Sequence, residues 1–83
     1  MAKSLRSVQK PETRFDVIRT EKYGKPVVVR IMLMKYDNCI EVYYQEEGYP
    51  FEYAYGVPGT AGWGATMGMA MANVIRWGLH YEE

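Results

Sequence analysis

Few side chains in this 83-residue chain have the chemistry of a catalyst. Its one histidine, His80, and one cysteine, Cys39, lie far apart, and no spacing brings an imidazole to a thiol as nucleophilic catalysis requires. No set of Cys, His, Asp and Glu has metal-ligand spacing. Glu41 and Glu52 are expected on one sheet face, where carboxylates are ordinarily solvated. The chain therefore reads as non-enzymatic, with no metal and no cofactor.

The richest constellation is Gly56-Val57-Pro58-Gly59-Thr60-Ala61-Gly62-Trp63-Gly64-Ala65-Thr66-Met67-Gly68. Glycine-rich backbone running into a helix presents N–H groups and the positive end of the helix dipole to an anion. Gly59, Thr60, Gly62, Trp63, Gly64 and Thr66 make up a candidate site for a phosphate-bearing nucleotide, with Trp63 stacking a base or sugar. The glycine spacing matches neither a P-loop nor a dinucleotide fingerprint. Tight turning and close packing of helix on sheet explain the same residues.

Composition limits the alternatives. A chain of this length fills one hydrophobic core, and one cysteine excludes an internal disulfide framework and fits a cytoplasmic location. The formal charge of zero conceals a split. Residues 1–35 carry nine basic and three acidic side chains, and residues 36–83 carry one basic and seven acidic. Residues 1–11 read as a flexible basic arm ahead of a single domain over 12–83. A nucleic-acid-binding regulator would use Lys3, Arg6 and Lys10 of that arm, but the acidic strands expected in the same sheet break up the continuous positive groove that single strands require. The 23 uncharged residues from Tyr53 to Ile75 are long enough to span a bilayer, but Pro58, Asn73 and five glycines make a membrane span the poorer reading.

The elements that must position these residues follow from turn signals at 22–26, 37–38 and 47–48, which separate runs rich in Val, Ile and Tyr. Strands are expected near 12–20, 27–36, 39–46 and 49–57. A two-residue turn at Asp37-Asn38 sets Leu33 opposite Val42 and Ile31 opposite Tyr44. A two-residue turn at Glu47-Gly48 sets Tyr44 opposite Phe51 and Val42 opposite Tyr53. A three- or five-residue loop around 22–24 sets Val17 opposite Val29 and Phe15 opposite Ile31. The core face is then Phe15, Val17, Val27, Val29, Ile31, Leu33, Ile40, Val42, Tyr44, Phe51, Tyr53 and Tyr55. A C-terminal helix from about Ala65 to Leu79 covers it with Met67, Gly68, Met71, Val74, Ile75 and Leu79, its N-cap at Thr60 or Thr66. The expected fold is α+β, a four-stranded antiparallel meander with one C-terminal helix on one face.

The same register puts Arg14, Met32, Tyr43 and Glu52 in one row on the other sheet face, with Met34 and Arg30 in flanking rows. Methionine and tyrosine with charges around them resemble interface composition. The function expected is a small binding protein that acts by occupying a target, an inhibitor or sequestering protein of the kind phages and mobile elements encode. It would dock on a protein partner and self-associate through Arg14, Arg30, Met32, Met34, Tyr43 and Glu52. Nucleotide sequestration and nucleic-acid regulation are the alternatives.

Overall fold

The computed structural model describes residues 10–77. Lys3, Arg6 and the rest of the arm through Gln9, together with Gly78, Leu79 and His80, lie outside the described residues. Four strands, β1 (Glu12–Lys22), β2 (Lys25–Lys35), β3 (Cys39–Glu46) and β4 (Glu52–Pro58), form one antiparallel sheet in meander order. A 3-10 turn (Gly59–Ala61) leads to helix α1 (Trp63–Trp77), which lies across one sheet face. This is the α+β architecture expected from the sequence.

The central hairpin has the expected register. Tyr36 donates its N–H to the Cys39 carbonyl (2.8 Å), closing the Asp37-Asn38 turn, and Leu33 and Ile31 face Val42 and Tyr44. Val29, Ile31, Leu33, Ile40, Val42 and Tyr44 are buried beneath Ala70 and Val74. The Tyr44 hydroxyl donates to the Ala70 carbonyl at 3.3 Å, joining β3 to the helix.

The outer strands depart from expectation. Between β1 and β2 the turn has only two residues, Tyr23 (φ 55°) and Gly24 (φ 77°), with Lys22 opposite Lys25. Two positive φ values make the I′ geometry whose twist suits a tight hairpin. The shorter turn slides β1 by one residue, which reverses its faces. Phe15 pairs with Met32 and Val17 with Arg30 on the face away from the helix, while Arg14 and Ile18 pair with Leu33 and Val29 on the helix side. Phe15 and Val17 are thus not core residues. Arg14 is recovered on the helix side by Trp63, with its guanidinium carbon 4.4 Å from the ring centroid.

The Glu47-Gly48 turn closes as expected, Tyr49 donating its N–H to the Glu46 carbonyl at 2.9 Å, but β4 itself starts only at Glu52 and not near 49. Two irregularities then intervene. Proline at position 50 has no N–H for the ladder, and Tyr44 comes to face Glu52 rather than Phe51. A bulge at Ala54 next sets Tyr43 opposite Tyr53 but Val42 opposite Tyr55. Tyr55 stays on the core side, whereas Phe51 and Tyr53 leave it.

The helix begins two residues earlier than expected and is rotated. Thr66, Ala70 and Val74 are buried, Met67 and Met71 are half-buried, and Gly68 and Ile75 face out. Thr66 is not an N-cap. It lies inside the first turn, its hydroxyl donating to the Gly62 carbonyl at 2.7 Å. Asn73 is drawn toward the sheet by its amide, which donates to the Tyr55 hydroxyl at 3.2 Å.

Candidate functional site

The slide of β1 and the bulge in β4 have a joint consequence: they move aromatic side chains from the core to the sheet face opposite the helix. That face carries Phe15 and Val17 from β1, Met32 and Met34 from β2, Tyr43 from β3 and Tyr53 from β4, with Phe51 just before β4. Phe15 is 59% exposed, Tyr53 57% and Val17 47%. Two ring contacts organise the surface. Tyr43 and Tyr53 meet edge to face with centroids 5.6 Å apart, and the Phe15 and Phe51 rings approach to 6.1 Å. The outer strands of a flat four-stranded sheet lie roughly 14 Å apart at ~4.8 Å per spacing. A 6.1 Å approach from opposite sides therefore requires the sheet to curl toward this face and both rings to lean inward. The sheet is thus cupped on this side, with the two phenylalanine rings leaning over its middle.

Charges lie at its ends. Arg19 and Arg30 are on this face toward the β1–β2 turn, and Glu41 is at the opposite end beside Tyr43. The Tyr43 hydroxyl donates to Glu41 Oε1 at 2.9 Å. That hydrogen bond, helped by burial and by the carboxylate charge, pushes the Tyr43 phenol up to about 12 from its usual 10. Tyr43 is therefore a fixed neutral donor across the working pH range. A depression of about 270 Å³ lined by Val28, Arg30, Gln45, Glu47 and Gly48 adjoins the arginine end.

Of the interface residues expected from sequence, the structure brings Arg30, Met32, Met34 and Tyr43 together on this face. Arg14 and Glu52 belong to the helix side, displaced by the β1 slide and the β4 irregularities. Phe15, Val17, Phe51 and Tyr53 were missed because their alternation reads as a core pattern. Pro50 is the one signal in the sequence that bears on it, whereas the positive φ of Tyr23 shows only in the structure.

The glycine-rich junction divides differently. Thr66 is fully buried and its hydroxyl is committed to Gly62, so it faces no ligand. Gly59 donates its N–H to the Asn38 carbonyl at 3.1 Å, and a Cβ there would stand 3.2 Å from the Asn38 carbonyl carbon. Gly59 packs closely on the β2–β3 turn, where a Cβ would crowd the Asn38 backbone, and Gly62 has a φ of 86° that favours glycine. Thr60 and Gly64 are exposed. Trp63 carries two cations, Arg14 at 4.4 Å and Lys35 with Nζ 5.9 Å from the centroid, which tie the start of the helix to β1 and β2.

Among the described residues no group of three or more His, Cys, Asp or Glu is placed to hold a metal ion, and no helix is long and apolar enough to cross a membrane. Comparison with protein families, curated proteins and solved structures finds no match to this chain.

Proposed function

We propose that this chain is a small binding protein that acts by occupying a protein target with its cupped sheet face, as an inhibitor or sequestering protein does. One observation carries the reading. Seven large apolar side chains adjoin one another on the sheet face that the helix leaves open, three of them about half exposed or more. Contiguous apolar surface of this kind marks interaction sites, and aromatic and methionine side chains are those enriched where proteins meet. Tyr43 and Tyr53 supply rigid contact area, Met32 and Met34 adapt to shape, and the arginine and glutamate ends set orientation. The fitting partner offers a convex apolar element, such as one face of a helix, with an acidic flank toward Arg30. The lone free cysteine, Cys39, supports a reducing compartment, the cytoplasm.

The test is the double variant Met32→Lys/Tyr53→Lys, isolated from the natural host and compared with the parent by native mass spectrometry. The reading expects a protein adduct on the parent that the variant lacks, with both giving the same circular dichroism. An adduct retained by the folded variant would refute it.

A further inference from the structure

The sheet has two edges, and the chain treats them differently. β4 is seven residues long, preceded by Pro50, ended by Pro58 and bulged at Ala54. These devices discourage another strand from adding to an edge. β1 has none of them. It runs eleven residues without proline, glycine or bulge, and most of its residues are exposed.

The direction of its free main-chain groups follows from the hairpin. In a two-residue turn the flanking pair, Lys22 and Lys25, exchanges hydrogen bonds, so the even-numbered residues of β1 bond to β2 and the odd-numbered ones point outward. Val17 bears this out. Among the described residues its N–H finds no strand and donates instead to its neighbour's carboxylate, Asp16 Oδ1, at 2.8 Å.

We propose that β1 pairs antiparallel with β1 of a second copy of this chain about a two-fold axis at Val17, making one continuous eight-stranded sheet. The axis is perpendicular to the sheet, so facing residues must come from the same side of β1. This register brings all eleven residues into the ladder. Glu12 then faces Lys22 on the helix side at both ends, and Lys22, already 3.2 Å from Glu46, sits between two carboxylates. On the open side Phe15 faces Arg19, and Val17 faces its own copy. A slip of two residues either way sets Asp16 against Asp16 or Arg14 against Lys22. The charges of β1 thus select a register as well as discouraging foreign strands.

Facing outward pairs exchange two bonds each, giving roughly ten main-chain hydrogen bonds across the axis. The carbonyl of the second Val17 replaces Asp16 as acceptor. Both cupped faces end on the same side of the joined sheet, and Phe15 and Val17 of the two copies join them into one apolar surface. The inference does not depend on the proposed target, because the pairing uses the main-chain groups of β1 and leaves the side chains of the open face where they are.

The test uses the full-length chain. Sedimentation velocity should show a concentration-dependent dimer, and Val17→Pro should shift it to monomer while keeping the parent circular dichroism, since the lost N–H serves no bond to β2. In a Cys39→Ser background, Val17→Cys should form a disulfide-linked dimer under mild oxidation. A facing hydrogen-bonded pair holds Cα atoms about 5.5 Å apart, inside the roughly 4.4–6.8 Å a disulfide needs. Phe15→Cys and Arg19→Cys should not self-link. A chain that stays monomeric at all concentrations overturns the proposal. So does a dimer that survives Val17→Pro without a Val17→Cys link, or linking through Phe15→Cys instead.

Discussion

Replacing Phe15 by alanine separates two accounts of this sheet. In the register that alternation alone suggests, Phe15 is core, and truncating a buried phenylalanine costs about 3–5 kcal/mol. In the structure Phe15 is 59% exposed on the open face. Of the roughly 200 Å² an aromatic side chain offers, about 80 Å² is then covered, worth ~2 kcal/mol at ~25 cal/mol per Å². Alanine retains part of that cover, so the expected loss is about 1–2 kcal/mol. Ile31 is wholly buried, and Ile31→Ala should cost about 2–5 kcal/mol. At ~4–8 °C per kcal/mol for a domain of this size, the two midpoints separate clearly in thermal unfolding followed by circular dichroism. Urea titration at a concentration low enough to hold the chain monomeric gives the free energies directly. A Phe15→Ala loss as large as that of Ile31→Ala would refute the reversed β1 and the cupped face with it.

Further outcomes follow from the same geometry. Gly68 lies mid-helix where an added Cβ meets nothing within 4 Å, so Gly68→Ala should stabilise by about 1 kcal/mol. Gly59→Ala should destabilise, its Cβ held 3.2 Å from the Asn38 backbone, and denaturant titration of the pair should give opposite signs. Ultraviolet titration of the eight tyrosines should include one phenol that ionises near pH 12, and Tyr43→Phe should remove it. The folded phenol holds its proton more tightly than the unfolded one. Its contribution to stability is therefore full below pH 10 and is lost as pH rises toward 12, a loss that Glu41→Gln should reduce.

How far the fold was legible depended on how strongly each turn constrained its strands. Asp37-Asn38 sits between two strands whose aliphatic residues Val29, Ile31, Leu33, Ile40 and Val42 need one face, and its register is unambiguous. Tyr23 is a side chain at positive φ, where glycine or asparagine is the usual occupant, so residue type alone favours a longer loop over the tight Tyr23-Gly24 turn. The consequence spread along β1, because a one-residue slide exchanges every side chain between faces. Phe15 and Val17 alternate with Arg14 and Asp16 as a core strand would, and local pattern cannot say that the apolar side faces away from the helix. Arg14 is tolerated on the helix side because it stays exposed at the edge strand and its guanidinium lies against the ring of Trp63. In β4 the bulge at Ala54 leaves no local signature, and Pro50 gave only a hint. The helix is rotated from its expected phase because Thr66 and Asn73 read as polar and outward-facing, whereas the Thr66 hydroxyl satisfies a carbonyl within its own turn, which allows burial, and the Asn73 amide bonds Tyr55. The candidate site was half legible: Met32, Met34, Tyr43 and Arg30 lie on strands whose register the central hairpin fixes, while the aromatic half depends on the two irregular strands.

The central claim is that the cupped face, and not the outer face of the helix, meets the target. Both are exposed and apolar, with Tyr53 on one and Ile75 on the other. A photo-reactive amino acid placed singly at these positions and activated in cells of the natural host distinguishes them. The account predicts one discrete protein adduct from position 53, competed by unlabelled parent chain but not by Met32→Lys, and no competable adduct from position 75. A competable adduct from position 75 with none from position 53 would contradict it.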